Sequence, residues 1–178
     1  AKWTLKTATY HVIHKQQSLD NSELYATVDD EELTAPLGKV TPAVKTYVGF
    51  SSPETKELTV LEDGTASIEY LYTRKTYTVA FEANGGTGSM ESLTDVKFGA
   101  ALTITNSFDS PEGKKFSGWS LAANGSVLAD NVVPSLSATL ANEANENNGI
   151  TLYAVWSNID SLTVIWKNDD GTTLKTDT

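Results

Sequence analysis

Three short elements occur twice in this chain, in the same order, and that repetition constrains the fold more than any single motif. The first is a strand-like opening, Thr9-Tyr10-His11-Val12-Ile13-His14-Lys15 and then Thr76-Tyr77-Thr78-Val79-Ala80-Phe81-Glu82. A third copy follows at Ser161-Leu162-Thr163-Val164-Ile165-Trp166-Lys167. In each, Tyr or Leu, then Val, then His, Phe or Trp fall on alternate residues, so they share one face of a strand. The second element reads aromatic, any, Gly, aromatic, Ser: Tyr47-Val48-Gly49-Phe50-Ser51 and Phe116-Ser117-Gly118-Trp119-Ser120. Gly49 lies 39 positions after Tyr10 and Gly118 lies 41 after Tyr77, so order and separation repeat together. The third element closes each repeat, as Ile68-Glu69-Tyr70-Leu71-Tyr72 and Leu152-Tyr153-Ala154-Val155-Trp156.

Such self-similarity is the mark of a tandem array. Residues 1–8, with Ala1-Lys2-Trp3-Thr4, resemble the end of a preceding repeat and its linker. Residues 9–75 form a first repeat, 76–158 a second, and 159–178 the first hairpin of a third. The second is longer: Gly49 to Tyr72 is 23 positions, whereas Gly118 to Tyr153 is 35. The excess lies in 123–149, rich in Asn, Ala and Ser and bounded by Asn124-Gly125 and Asn148-Gly149, which reads as an elaborated loop.

Turn chemistry gives a coarse outline. Asp63-Gly64 between "ELTVL" and "ASIEYLY" predicts a hairpin, as does Asp170-Gly171 between "LTVIW" and "TTLKT". Asn84-Gly85-Gly86-Thr87-Gly88 offers several positions free to take positive φ. Thr41-Pro42 before "AVKTY" pairs an N-cap with a proline at the first helical position, which predicts about two turns of helix. Residues 100–108 are its expected counterpart. Each repeat then reads strand, strand, short helix, strand, strand, an α+β and β-rich unit with a mostly antiparallel or mixed sheet. Matched places predict two cores: Val12, Tyr47, Phe50 and Tyr70 in one, Val79, Phe116, Trp119 and Tyr153 in the other. Trp119, Trp156 and Trp166 recur at fixed positions, which favours core packing over a sugar-stacking surface, since each small unit must bury something large.

The stretches "YTVAFEANGGTGSM", "KFGAALTI", "FSGWS" and "TLYAVW" closely resemble the Listeria–Bacteroides repeat, the internalin-type B repeat. That pattern runs from Tyr-x-Val-x-Phe through Asn-Gly-Gly, Tyr/Phe-Gly and Phe-x-Gly-Trp to Leu-Tyr-Ala-x-Trp. Tyr77 to Ser157 carries nearly all of it, with Phe98 at the Tyr/Phe position. Residues 10–73 resemble the mucin-binding-protein-like variant, through "TPAVKTYVGFSSP" and "IEYLYTR". The resemblance implies a β-grasp-like fold for each repeat and a place in a long bacterial surface protein, wall-attached or secreted. It implies no catalytic residues.

Charge and composition narrow the partners. A net charge of −10 opposes binding to the polyanions DNA and RNA and to anionic membrane surfaces. The absence of cysteine removes disulfides, zinc–thiolate sites and thiol nucleophiles together. The only histidines, His11 and His14, sit three apart on a strand and so point to opposite faces, which opposes a shared metal or a Ser-His-Asp triad. Asp169-Asp170-Gly171 reads as a turn: a calcium loop needs oxygen ligands two and four residues before Asp170, and the latter position is Trp166. The run Asp29-Asp30-Glu31-Glu32 reads as a solvated loop. Taken with the bacterial surface protein that the resemblance implies, the expectation is a non-catalytic stalk segment with no metal or cofactor, holding a distal binding domain away from a bacterial cell. Its first partners are the neighbouring repeats, and it is a monomer or a weak strand-edge dimer. The alternative is a module that contacts a host protein or glycan through 123–149 or an open strand edge.

Overall fold

A computed structural model describes residues 5–129, 135–159 and 164–177. The expected tail motif at Ala1–Thr4 and the start of the third opening, with its linker, at Asp160–Thr163 lie outside the described residues. The protein is β-rich. Its strands are β1 (Thr7–Gln17), β2 (Tyr25–Pro36), β3 (Gly38–Val40), β4 (Phe50–Ser51), β5 (Leu58–Val60), β6 (Ser67–Arg74), β7 (Thr76–Glu82), β8 (Leu93–Lys97), β9 (Lys114–Ser120), β10 (Gly149–Asn158), β11 (Val164–Lys167) and β12 (Thr173–Asp177). The helix among the described residues is α1 (Ala138–Asn142).

Two four-stranded sheets share one strand order. The first runs β2-β1-β6-β4 and the second β8-β7-β10-β9. In both, the opening strand and the closing strand are neighbours, the second strand covers one edge, and the Gly-aromatic-Ser strand covers the other. The first sheet is mixed: β1 lies antiparallel to β2 and parallel to β6, while β4 is antiparallel to β6. Two-stranded sheets pair β3 with β5 and β11 with β12.

Alternation decides what each strand buries. On β1, Tyr10, Val12 and His14 face inward; on β6, Ile68, Tyr70 and Tyr72 do. With Phe50, Val60 and Ala66 they form one core, against which Tyr47, Val44 and Phe98 pack. All four residues expected in the first core are therefore there. The expected second set splits. Phe116 and Trp119 meet with ring centroids 5.1 Å apart, and Trp119 is 5% exposed. Tyr153 does not join them: on β10 the buried residues are Ile150, Leu152 and Ala154, so Tyr153 points the other way. The true match of Ile68, Tyr70 and Tyr72 is Ile150, Leu152 and Ala154. The aligned motifs set Ala154 opposite Tyr70, and Tyr153, one residue before it, falls on the other face of the strand.

Close contacts group the chain into two compact units. One comprises Ala1–Ala80, Ser92–Ile104 and Ala129–Thr151; the other comprises Phe81–Glu91, Thr105–Leu128 and Leu152–Thr178. Val79 belongs to the first of these, Phe116, Trp119 and Tyr153 to the second. The second unit is built on aromatics. Trp119 lies 5.2 Å from Phe81 and 6.3 Å from Phe108, and Phe116 bridges on to Trp156 at 5.7 Å.

Neither expected helix forms. Residues 41–47 are irregular, because their backbone groups find tertiary partners instead of a helical ladder. Tyr70 Oη donates to the Pro42 carbonyl at 2.7 Å, and Lys45 N–H donates to Tyr72 Oη at 2.8 Å. The β-branched Val44, Thr46 and Val48 lower helix propensity further. Residues 100–108 are likewise not helical. The helix lies instead inside 123–149, capped by Ser137, whose Oγ accepts from Leu140 N–H, and anchored by buried Leu140. The expected hairpin at Asp63-Gly64 is only a turn. Gly64 takes φ +71° and Asp63 accepts from Thr65 N–H at 3.0 Å, but β5 pairs with β3. Both sides of β6 are already taken by β1 and β4. The Asp170-Gly171 hairpin does form, as β11 and β12, with Trp166 opposite Lys175.

Candidate functional site

Three clusters of polar and aromatic side chains stand out, and each grows from a repeat motif. The first lies on the β1–β2 face of the first sheet. The acidic run Asp29–Glu32 belongs to β2 and is not a loop, so its four carboxylates alternate between two faces. Asp30 and Glu32 flank His11, with Nδ1 2.8 Å from Asp30 and Nε2 3.6 Å from Glu32. That hydrogen bond to Asp30 raises the His11 pKa above its ordinary value against a smaller opposing effect of burial. Asp29 and Glu31 face the other way and share the Lys45 ammonium, which is 3.0 Å from Glu31. The bond to Lys45 is the main reason both carboxyls titrate below their usual range, and it raises the Lys45 pKa in turn.

His14 closes this network from beneath. Its side chain is 0% exposed, with Nδ1 2.8 Å from Tyr72 Oη and Nε2 3.2 Å from Glu31. The Glu31 carboxylate can only accept, so the His14 tautomer that fits it carries its proton on Nε2, and Nδ1 then accepts from the Tyr72 hydroxyl, which itself accepts from Lys45 N–H. The rings of Tyr70 and Tyr72 lie 5.9 and 5.7 Å from the imidazole. Burial pushes the Tyr72 and Tyr47 hydroxyls up. His11 and His14 thus point to opposite faces, as their spacing requires. Every charge here is spoken for by a neighbour, which makes this a network that holds β1, β2 and the 41–47 segment together.

The second cluster is the junction between the sequence repeats. β6 ends at Arg74 and β7 begins at Thr76, so only Lys75 separates them. Phe98, from the second repeat, sits over Gly49 of the first. A Cβ built on Gly49 would lie 2.1 Å from the Phe98 ring, and Gly49 has φ +78°. The ring meets Phe50 edge-on at 5.7 Å. Arg74 locks the arrangement: Nη1 donates to Phe98 O at 2.7 Å, Nη2 to Gln17 O at 2.8 Å, and the guanidinium stacks 4.8 Å above Phe50. Phe98 N–H donates to Lys75 O, and Lys75 N–H to Gly49 O. The matching glycine of the second repeat, Gly118, is covered differently: Val127, from the 123–149 segment, would meet its Cβ at 2.6 Å.

The third cluster is a cleft of about 530 Å³ in the second unit, lined by Asn84, Gly85, Pro111, Lys114, Asn124, Gly125, Val155 and Trp156. Trp156 is partly buried, and its Nε1–H donates to Ala83 O at 2.9 Å. Of the three tryptophans expected in cores, only Trp119 is fully packed. Trp166 is 56% exposed, with Ile165 beside it at 52%, because a two-stranded hairpin has one layer and covers neither face of itself. Asp170 is a turn residue: its carboxylate, lowered in pKa mainly by Thr172, accepts from Thr172 N–H at 2.8 Å.

Among the described residues no group of three or more His, Asp and Glu is placed to hold a metal ion, and no helix is long and apolar enough to cross a membrane. A scan against protein-family models matches none, and no significant match emerges among curated proteins. The functional reading therefore rests on the repeat motifs and on the geometry of these three clusters.

Proposed function

We propose that this chain is a non-catalytic spacer from a bacterial surface protein, built of tandem β-grasp-like repeats that are coupled stiffly end to end. The observation that carries the reading is the repeat junction. An aromatic side chain of the second repeat seats on a bare glycine of the first, and an arginine ties both flanking backbones. A flexible linker needs none of this. The reading draws further support from the common strand order of the two sheets and from the parallel pairing of β1 and β6 at the centre of the first, the arrangement a β-grasp-like unit has. The network of paired charges around His14 and Lys45 serves the same end, because it fixes the irregular 41–47 segment that leads into Gly49. On this proposal the segment is extracellular, needs no cofactor, and has neighbouring repeats as its first partners.

The test is backbone ¹⁵N relaxation. A stiff junction requires residues 7–74 and 92–104 to report a single rotational correlation time, and Phe98→Ala to separate the two. Independent correlation times in the unaltered protein overturn the proposal.

A further inference from the structure

We infer that the cleft around Trp156 is a binding site for an uncharged pyranose sugar. Three stretches from distant parts of the sequence converge there: Asn84-Gly85 after β7, Pro111 and Lys114 at the start of β9, and Asn124-Gly125 after it. β10 supplies Val155 and Trp156 as the floor.

The indole is held in place before any ligand arrives. Its Nε1–H is bonded to Ala83 O, Phe116 meets it edge-on at an interplanar angle of 72°, and the Gly86 backbone lies so close that a Cβ there would sit 2.6 Å from Cζ2. An aromatic ring carries partial negative charge on its face and accepts the weakly positive C–H groups of a sugar ring. A fixed ring does so without loss of side-chain freedom on binding.

Polar groups stand around that ring with capacity to spare. Asn84 uses Nδ2 on Ala154 O at 2.8 Å, which leaves its carbonyl oxygen as an acceptor. Lys114 gives one N–H to Asn158 at 3.0 Å and has two more. The Asn124 carboxamide meets no hydrogen-bond partner among the described residues, so it offers both donors and acceptors. Asn84 and Asn124 hold φ of +48° and +62°, the left-handed region that Asn and Gly share in turns. Each is followed by glycine, as the turns require, and each lines the cleft.

Charge selects the class of sugar. Among the described residues that line the cleft there is no carboxylate to attract a cationic ligand. The one charged side chain in that lining, Lys114, already bonds Asn158 and stands in a chain of net charge −10, so the cleft holds no bidentate cation with which to demand an acidic ring. The volume suits one or two sugar rings, since small-molecule pockets run from roughly 300 to 1,000 Å³.

The experiment is a ¹H–¹⁵N titration of the full chain with methyl glycosides of glucose, galactose and mannose and with N-acetylglucosamine and N-acetylgalactosamine. At least one probe is expected to shift the Trp156 indole resonance and the Gly85 and Gly125 amides together, with millimolar affinity. Asn124→Gly keeps the backbone conformation and removes the carboxamide, and should weaken the responding probe about three- to ten-fold. Trp156→Ala should abolish the response; because it also removes a contact with Phe116, Asn124→Gly is the deciding variant. Absence of a shift at Trp156 with every probe, or a response that Asn124→Gly leaves unchanged, overturns the assignment. Stalk stiffness is measured separately, so failure of one reading leaves the other to its own test.

Discussion

Gly49→Ala isolates the repeat junction in one methyl group. Two costs add. Alanine at φ +78° carries left-handed strain of about 1–2 kcal/mol. Its Cβ would also lie 2.1 Å from Cγ of Phe98, inside any real contact distance, so the ring must leave. Phe98 is only partly buried, so leaving forfeits about half of the roughly 1.5–3 kcal/mol of a fully buried Phe. It also forfeits the edge contact with Phe50, worth about 0.5–1.5 kcal/mol. The single change should therefore cost about 3–4 kcal/mol. Phe98→Ala alone should cost about 1.5–2.5 kcal/mol. In the Phe98→Ala background no ring remains to expel, so Gly49→Ala should cost only its strain, about 1–2 kcal/mol. Urea melts of the four proteins give the cycle, with a coupling of about 1.5–2.5 kcal/mol predicted. Additivity within about 0.5 kcal/mol would show that Phe98 and Gly49 do not share a site, and the reasoning would fail.

Tryptophan truncation should separate the packed ring from the exposed one. Trp119→Ala should cost about 3–5 kcal/mol in denaturant melts, whereas Trp166→Ala should stay within about 1 kcal/mol; equal losses would contradict the burial described. The charge network predicts two distinct pH limbs. Asp29 and Glu31 have lowered folded pKa values, so their stabilisation is present above the ordinary carboxyl range and is lost as pH falls through the folded values. Lys45→Met should flatten that acid limb in a series of thermal melts, and an unchanged limb would refute the assignment. His11 has a raised folded pKa, so its contribution is full below the unfolded value of 6.5 and is lost as pH rises through the folded one. His11→Gln should thus lower the melting temperature at about pH 5 and not at about pH 9.

The sequence made the repeats legible because alternation and turn chemistry are local. Tyr10, Val12 and His14 share a face whatever they pack on, and Asp170-Gly171 turns the chain between two strands with no outside help. What it concealed depends on partners distant in the chain. Thr41-Pro42 is a sound helix start, yet Tyr70 and Tyr72 reach in to take the backbone groups that a helix would use. Asp63-Gly64 is a sound hairpin turn, yet β6 has no free side to offer β5. Aromatic character matches Tyr153 to Tyr70 and Tyr72, whereas the parity of β10 matches Leu152 and Ala154 instead. At the candidate sites, the aromatic-x-Gly-aromatic-Ser motif marked Gly49 and Gly118 in advance. That Phe98 covers one and Val127 the other could not be read from the motif. Nor could the convergence of Asn84, Lys114 and Asn124 on Trp156, since these residues come from three separate turns.

The measurement that bears most directly on the proposed stalk role is small-angle scattering from chains that carry one, two and three tandem copies of residues 9–158. Stiffly coupled repeats predict a maximum dimension that grows in proportion to the number of copies, with Phe98→Ala breaking that proportionality. Growth roughly as the square root of the copy number, as for a flexible chain, would contradict the account.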